Sequence, residues 1–169
     1  MLDAEELRRL VNYDCQTGVF TWKARAENYA TSQRFAGKKS GCPSKSGYLR
    51  MMVNGKLYYC HRLAWLYMTG RWPKADIDHI NRNRSDNRWC NLREASRSQN
   101  NVNAGMRKNN TSGLKGAFFC QDKKKQWQAK IGLNGKGKHL GYFNTKEEAH
   151  AAYLAAARAT YGEFLPDSP

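Results

Sequence analysis

The sequence predicts an α+β fold organised as two units. Short alternating apolar and polar runs flank Asn54-Gly55 and Asn134-Gly135, a pattern typical of antiparallel hairpins closed by two-residue turns. Residues 105–113 consist mainly of Gly, Asn, Lys, Ser and Thr, which is typical of a linker. The linker separates a first unit, residues 1–104, from a second unit, residues 114–169.

Capping residues and periodicity predict the elements of the first unit. Asp3 and Glu6 form a capping pair that opens a short helix, with Leu7, Leu10 and Val11 facing inward. The further elements that we expect are a strand over residues 19–22, a loop over 24–46, a hairpin over 48–60, a helix over 61–68 that ends at Gly70, and a helix from Ser96 to about Asn103.

The second unit is expected to contain three strands and then one helix. The strands are predicted over residues 117–120, 126–133 and 139–143. Thr145 and Glu148 cap the helix, which ends at Gly162. Small side chains on its inward face let the helix approach the sheet closely. That inward stripe comprises Ala149, Ala152, Tyr153 and Ala156.

The net charge of +15 indicates a polyanionic partner. The excess is +5 over residues 1–56, +4 over 57–104 and +6 over 105–169, so it is spread along the chain. A folded chain that is basic throughout repels itself, and nucleic acid is the commonest polyanion that relieves this repulsion. A secreted cationic protein or a membrane-surface binder is the alternative that charge alone leaves open.

The lengths of apolar runs and the spacing of cysteines bear on the compartment. The N-terminus lacks the apolar run of a signal peptide, and no stretch approaches the ~20 apolar residues of a membrane span. The five cysteines stand far apart, which fits small buried thiols better than a zinc site. We therefore expect a cytoplasmic protein in a reducing environment, with no membrane partner.

Residues 78–103, DHINRNRSDNRWCNLREASRSQNNVN, carry the most informative pattern. Asp78 directly precedes His79, Asn91 follows that histidine by twelve residues, and Asn100 follows it by twenty-one. A segment so rich in Asn, Asp and Arg has few large apolar side chains, so it cannot fold by hydrophobic burial alone. Hydrogen bonds, a metal ion or packing on the preceding elements must hold it.

This pattern resembles the HNH nuclease superfamily. The order DHIN, DNR, NLR and a final Asn is closest to the branch found in phage and intron-encoded homing endonucleases. The segments YYCHRLAWLYMTGRWP, residues 58–73, and LRRLVNYDCQTGVFTWK, residues 7–23, also resemble that branch. The resemblance implies a ββα-metal unit, in which two strands and a helix hold an ion. It also implies a phage-encoded enzyme that acts in a bacterial host cell.

Hydrolysis of a phosphodiester needs a nucleophile, charge neutralisation at the phosphate and help for the leaving oxygen. A divalent ion on oxygen ligands supplies the last two, Asp78 offers a carboxylate, and a neutral imidazole such as His79 suits a general base. By resemblance, Asn100 binds Mg²⁺ or Mn²⁺ together with Asp78, while Asn91 holds the second strand and orients the histidine. Asn101 stands beside Asn100 as an alternative ligand.

Several other residues near the motif receive an expected role. Guanidinium groups match phosphate oxygens, so the arginines expected to contact DNA phosphates are Arg82, Arg84, Arg93 and Arg97. A solvated surface role is the alternative for each of these arginines. Asn81, Asn83 and Asn87 are interpreted as turn residues. His61 is expected to pack the first unit against the motif.

Residues 112–164 resemble the APETALA or ethylene-response-factor type of DNA-binding domain. The segments LKG, WQAKI and HLGYF and the alanine-rich run before YG carry the resemblance. It implies a three-stranded antiparallel sheet backed by one helix, and a sheet of this size can enter the major groove of DNA.

Strand alternation divides the central strand of that sheet between two faces. Alternation puts Trp127, Ala129 and Ile131 on one face, which we expect to pack on the helix, and Gln128 and Lys130 on the other, which the resemblance implies meets DNA. The resemblance adds further DNA contacts at Lys115, Lys138 and His139. Lysine lacks the bidentate fork that arginine offers to guanine, so we expect strong backbone binding and weaker direct base readout.

The sequence therefore predicts a metal-dependent endonuclease that cleaves double-stranded DNA and uses no small-molecule cofactor. The resemblance implies products with 3′-hydroxyl and 5′-phosphate ends. The chain holds one Asp78–His79 pair, which can act on one scissile phosphate at a time, so we expect a monomer that nicks. A non-catalytic DNA-binding regulator on the same scaffold and an RNA-directed protein are the alternatives.

Overall fold

The chain folds into two compact units, Met1–Glu94 and Ala95–Pro169. A computed structural model describes residues 1–24, 34–106, 108–121, 124–133 and 135–165. Helices and small sheets occur in both units, which confirms the predicted mixture of α and β elements. None of the helices in these described ranges is long and apolar enough to cross a membrane.

The first helix, α1 (Ala4–Leu10), begins at the predicted capping residue. The Asp3 carboxylate accepts a hydrogen bond from Glu6 N at 2.8 Å. Leu7 is buried as expected, and Val11 is also buried, but Val11 starts a strand instead of ending the helix. Val11 has an extended backbone with φ of −138°, so it is buried as a strand residue and not as part of the helix.

A small antiparallel sheet follows α1. Strand β1 (Val11–Asp14) pairs with β2 (Val19–Trp22), and β2 pairs with β3 (Lys39–Ser40). The predicted loop over residues 24–46 thus contains two short strands, Lys39–Ser40 and Cys42–Pro43, although residues 25–33 of that loop lie outside the described residues. β1 was not predicted from the sequence.

The predicted hairpin is confirmed in the next sheet. β5 (Leu49–Val53) and β6 (Lys56–Tyr59) pair antiparallel, and β4 (Cys42–Pro43) pairs with the other edge of β5. Asn54 and Gly55 have φ of 49° and 75°, the left-handed values that a two-residue turn requires.

Helix α2 (Cys60–Thr69) follows β6 directly and ends at Gly70, whose φ of 76° makes it a left-handed C-cap. Its buried side lies in the core of the first unit. That core draws on α1, the first two sheets and α2, and its fully buried large side chains include Leu7, Leu10, Val11, Phe20, Val53, Leu63 and Leu66.

The polar motif begins with a two-stranded sheet of β7 (Asp76–His79) and β8 (Leu92–Ala95). A 3₁₀ turn, Trp89–Asn91, precedes β8. Ile77 and Leu92 are 5% and 6% exposed and belong to the core of the first unit. The motif is therefore anchored by one apolar side chain from each strand, and hydrogen bonds hold the segment between them.

Helix α3 (Arg97–Asn103) starts at the predicted capping box. Ser96 Oγ accepts a hydrogen bond from Gln99 N, and the Gln99 side chain accepts one from Ser96 N. Ala95 and Val102 are buried in the core of the second unit. The structure therefore divides the chain before this helix, whereas the sequence suggested a boundary at residue 104.

The C-terminal sheet has β10 (Trp127–Leu133) at its centre, between β9 (Ala117–Phe119) and β11 (Lys136–Phe143). Both pairings are antiparallel. A bulge interrupts the pairing with β11 after Ala129, which adds one residue to that strand. The predicted turn residue Asn134 lies outside the described residues.

Helix α4 (Lys146–Tyr161) is capped by Thr145, whose side chain accepts a hydrogen bond from Glu148 N, and Gly162 ends it. Four side chains spaced four residues apart are buried along it: Ala149, Tyr153, Ala157 and Tyr161. The predicted stripe was right at Ala149 and Tyr153, whereas Ala152 and Ala156 are only half-buried beside it.

The cysteines are less buried than their interpretation as small core thiols implied. Cys60 is buried and Cys120 is half-buried, but Cys15, Cys42 and Cys90 are exposed. The prediction is wrong for these three because each lies in or beside a turn or an edge strand of two residues.

Candidate functional site

β7 ends in the two residues on which the predicted chemistry depends. Asp78 and His79 are each 4% exposed, although neighbouring residues of a strand point to opposite faces. Both faces of the strand end are therefore covered. A carboxylate and an imidazole lie next to each other with little access to bulk water, which makes their local partners decisive.

Arg93, on β8, is the ionic partner of Asp78. Its Nε donates to Asp78 Oδ2 at 2.9 Å, and its Nη2 lies 2.9 Å from the same oxygen. A carboxylate removed from water requires such compensation, because an uncompensated buried charge is strongly destabilising. Arg93 was expected at a DNA phosphate, whereas its guanidinium lies against this carboxylate.

The His79 ring contacts Asn87, whose Oδ1 lies 3.2 Å from His79 Nε2. Burial lowers the pKa of His79 below its usual value, while the Asn87 hydrogen bond and the charge of Asp78 oppose that shift. The balance favours a neutral imidazole at neutral pH, which is the form that accepts a proton.

Two more rings enclose His79. The ring of His61 lies 5.2 Å from that of His79, edge to face at 82°, and the ring of Tyr48 lies 5.8 Å away. His61 is 7% exposed, and burial lowers its pKa to about 3. Its Nδ1 has no hydrogen-bond partner among the residues that the structure describes. His61 is therefore a neutral packing residue, in line with the structural role expected for it.

Asn91 organises the connection between β7 and β8. Its Oδ1 accepts a hydrogen bond from Asn81 N at 2.9 Å, and its Nδ2 donates to Asp86 O at 2.8 Å. Its own carbonyl accepts from Ile80 N at 2.9 Å. Asn91 thus ties the connecting loop to the start of β8, and these side-chain bonds are to the loop, not to the histidine ring.

The other asparagines of the loop have two different roles. Asn81 Oδ1 accepts from Asn83 N at 2.9 Å, and Asn83 Oδ1 accepts from Ser85 N at 3.1 Å, which is typical of turn residues. Asn87 is instead 1% exposed and contacts His79. Asn87 was expected to be a turn residue, because the DNR triplet by itself does not distinguish a turn asparagine from a buried one.

The other three arginines that were expected at DNA phosphates are exposed: Arg82, Arg84 and Arg97. Arg82 occupies a left-handed turn position with φ of 64°. The guanidinium of Arg84 donates to Ser46 O at 2.9 Å and lies 5.0 Å from the centre of the Tyr48 ring. Exposure at these positions is compatible with phosphate contact.

Asn100, the predicted second metal ligand, lies on α3 and is half-buried. Its N–H donates to Ser96 O at 2.9 Å as part of the helix. Asp78, His79 and Asn91 belong to the first unit, and Asn100 belongs to the second.

Lys115, expected at DNA, has a structural position in the second unit. Its Nζ donates to Val102 O at 2.6 Å and to Ala104 O. These carbonyls close the C-terminal end of α3, where a positive charge is favourable. The ammonium group is therefore committed to holding that helix end.

Some of the side chains of the C-terminal sheet that were expected to contact DNA are exposed, and one is buried. Lys130, Lys138 and His139 are exposed, whereas Gln128 is 9% exposed and donates from Nε2 to His139 Nδ1 at 2.9 Å. Gln128 was expected to face DNA. It is buried because its neighbours across the sheet are both aromatic, namely Phe118 and Tyr142.

A cleft of about 810 Å³ lies within the second unit, and it is lined by α3, the segment after α3 and the sheet. Its basic residues are Arg97, Lys130 and Lys136, together with Lys115, whose ammonium group is bonded to the end of α3. The concentration of positive charge around one concave surface suits a phosphate-bearing ligand.

The donor chemistry distinguishes between kinds of metal site. Across the described ranges no three His, Cys, Asp or Glu side chains converge on one point, as a structural zinc site would require. Mg²⁺ differs, because it keeps several waters and binds through one or two carboxylates plus substrate phosphate. The buried carboxylate of Asp78 fits that second kind of site.

Comparison with known families bears on this segment directly. Searches of curated proteins and of solved structures found no match. Residues 58–102 match the model of a family described as HNH endonuclease, and the matched range contains Asp78, His79, Asn91 and Asn100. This family suggests nuclease activity on DNA, and the match assigns an HNH endonuclease domain to residues 58–102 of the chain.

Proposed function

We propose that the chain is a divalent-metal-dependent endonuclease that hydrolyses phosphodiester bonds in double-stranded DNA. The observation that carries this proposal is the buried pair at the end of β7, where Asp78 is held by Arg93 and His79 contacts Asn87. The family match over the same segment supports nuclease chemistry.

His79 is the proposed general base. Its neutral ring takes a proton from the attacking water, whose oxygen forms a bond to phosphorus. The bond from phosphorus to the 3′-oxygen breaks, and that oxygen takes up a proton from solvent. The products carry a 3′-hydroxyl and a 5′-phosphate, as the resemblance to the homing-type HNH nucleases implies.

Asp78 and Asn100 are the residues proposed to hold Mg²⁺ or Mn²⁺. A bound divalent ion neutralises the phosphate and stabilises the leaving oxygen. The paired hydrogen bonds from Arg93 orient the carboxylate of Asp78. Asn100 is included because of its place in the sequence pattern, and no small-molecule cofactor is part of the proposal.

The second unit is proposed to grip DNA in the manner of an APETALA-like domain. The exposed cationic and imidazole side chains Lys130, Lys138 and His139 support this proposal, as does the basic lining of the cleft. Exposed arginines of the nuclease motif would add phosphate contacts in the first unit at Arg82 and Arg84. Lys115 and Gln128 then support the fold instead of contacting bases.

A monomer that nicks one strand at a time is the proposed active form. The two strands of a duplex are antiparallel, so one fixed site faces one strand productively. The test is incubation with supercoiled plasmid carrying DNA from the source genome, in Mg²⁺ or Mn²⁺, followed by sequencing of the ends. Open circles should precede linear DNA. Linear product formed directly at low enzyme contradicts the monomer, and intact DNA with both ions contradicts the endonuclease.

A further inference from the structure

We propose that Asn87 is a positioning residue that fixes which ring nitrogen of His79 acts as the base, and that the N-terminal hairpin holds Asn87 in place. The inference rests on the proposed nuclease function for its consequence in catalysis. The contact itself is a property of the folded first unit and can be measured without any substrate.

The contact determines where the ring carries its proton. Asn87 Oδ1 lies 3.2 Å from His79 Nε2, and an amide oxygen only accepts hydrogen bonds. Nε2 must therefore be the protonated nitrogen of the neutral ring, and Nδ1 must carry the lone pair. A base that is held in one tautomer and one orientation is ready for proton transfer without rearrangement.

The Asn87 side chain differs from a turn asparagine in its environment. It is 1% exposed, and its Nδ2 has no hydrogen-bond partner within the ranges that the structure describes. Burial of an amide nitrogen without a partner is unfavourable, and an apolar side chain of similar size would avoid that penalty. An asparagine is favoured over a leucine at this position because its Oδ1 contacts His79, which a leucine side chain cannot do.

The hairpin of β1 and β2 holds the backbone on both sides of this amide. Tyr13 Oη donates to Asn87 O at 2.6 Å, and Trp89 N donates to Cys15 O at 2.9 Å. The hairpin thus binds main-chain atoms of Asn87 and Trp89, the two residues on either side of Arg88. The N-terminal extension therefore supports the catalytic histidine through Asn87.

Gly18 closes the turn of that hairpin against the same backbone. A Cβ added at Gly18 would lie 2.5 Å from both Arg88 N and Asn87 C, and its φ of +73° is left-handed. The two main chains are packed so closely that no side chain fits between them. The position of Asn87 is accordingly set by the hairpin and not by the loop alone.

The test combines histidine nitrogen NMR with single-turnover cleavage in the full chain. The wild type, Asn87→Leu and Asn87→Asp are compared, with Asn83→Leu as a control in the same loop, and a His79→Ala spectrum assigns the signal among the four histidines. We expect the His79 proton on Nε2 in the wild type and in Asn87→Asp, and a mixture of tautomers in Asn87→Leu. We expect Asn87→Leu to slow cleavage at least tenfold with unchanged DNA affinity, and Asn87→Asp to recover most of that loss.

A His79 proton on Nδ1 in the wild type would overturn the proposal, as would an Asn87→Leu variant that cleaves at the wild-type rate. If Asn87→Leu does not fold, the tautomer in the wild type and in Asn87→Asp decides the question alone. A wild-type protein that cleaves no DNA contradicts the proposed function, while the NMR comparison still tests the role of Asn87.

Discussion

At the scale of single residues, burial and its compensation decide which groups in the site carry charge. The buried carboxylate of Asp78 is compensated by Arg93, which donates to it from both Nε and Nη2. His61 has no such partner at Nδ1 within the described part of the chain, and burial keeps it neutral. His79 lies between these extremes, since Asn87 and Asp78 offset part of the effect of burial on its pKa.

The buried state of His61 predicts a pH dependence of stability. The folded-state pKa is lowered to about 3, whereas the unfolded value is about 6.5, so the unfolded chain binds more protons between these values. This contribution should reduce the free energy of unfolding as pH falls below about 6.5, by at most about 1.4 kcal/mol per pH unit. Denaturant titrations of the wild type and His61→Leu at several pH values measure the difference. Parallel pH profiles would show that His61 titrates normally in the fold.

The pairing of Asp78 with Arg93 predicts a large loss of stability when one partner is removed. The side chains are 5% and 15% exposed, so Arg93→Met leaves a buried carboxylate without its guanidinium. The free energy of unfolding should fall by roughly 3–5 kcal/mol. The double variant Asp78→Leu, Arg93→Met should be more stable than Arg93→Met alone. A single variant that loses under about 1 kcal/mol would place the pair at the level of a surface ion pair.

The motif residues show how far sequence reasoning reaches at this scale. The order and spacing of the motif singled out Asp78 and His79 as candidates, and the structure places both, buried, at the end of β7. The role of Asn87 could not be predicted, because it depends on a hairpin more than sixty residues earlier in the chain. The contacts that Gln128 and Lys115 make within the fold could not be predicted for a related reason. Their polar groups meet partners, His139 and the end of α3, that only the folded unit brings close.

At the scale of elements, local signals were reliable and partner-dependent ones were not. Capping at Asp3, Ser96 and Thr145 and the turn at Asn54-Gly55 depend on neighbouring residues, and all four are present. The two-residue strands β3 and β4 form because β2 and β5 offer hydrogen bonds to them. Their own residues are too few to predict a strand from the sequence. The second unit begins at Ala95 because Ala95 and Val102 belong to the same apolar core as Ile131 and Tyr153.

The turn of the first hairpin predicts unequal effects of two similar glycine substitutions. Gly18 and Gly55 have φ of +73° and +75°, but an added Cβ meets Arg88 N at 2.5 Å only in the first case, and nothing within 4 Å in the second. In both alanine variants the left-handed backbone should lower the free energy of unfolding by roughly 1–2 kcal/mol. Gly18→Ala should lose about 1–3 kcal/mol more through the collision. Equal losses in thermal or chemical unfolding would contradict the close approach.

At the scale of the whole molecule, the positive charge is distributed over both units and has no single location. Electrostatic attraction to phosphates is therefore expected to supply most of the affinity for DNA, while the motif supplies the chemistry. This division allows binding and cleavage to be separated experimentally.

The charge predicts a steep salt dependence of DNA binding by the full chain. A protein that neutralises about five phosphates has a slope of about −4.5 for the logarithm of affinity against the logarithm of salt concentration. Lys130→Gln, at an exposed position of the sheet, should make the slope shallower by about 0.9 if that lysine contacts phosphate. Fluorescence anisotropy over a salt series measures both values, and a flat response would argue against a polyanionic partner.

The most direct measurement of the central claim is cleavage and binding of the same duplex by the wild type and by His79→Ala, each in Mg²⁺ and in EDTA. His79 is 4% exposed and carries no formal charge in its neutral form, so its removal leaves the phosphate-binding cations untouched. We predict that all four samples bind DNA with similar affinity and that only the wild type in Mg²⁺ cleaves it. Undiminished cleavage in EDTA, or by His79→Ala, would contradict metal-dependent hydrolysis with His79 as the base.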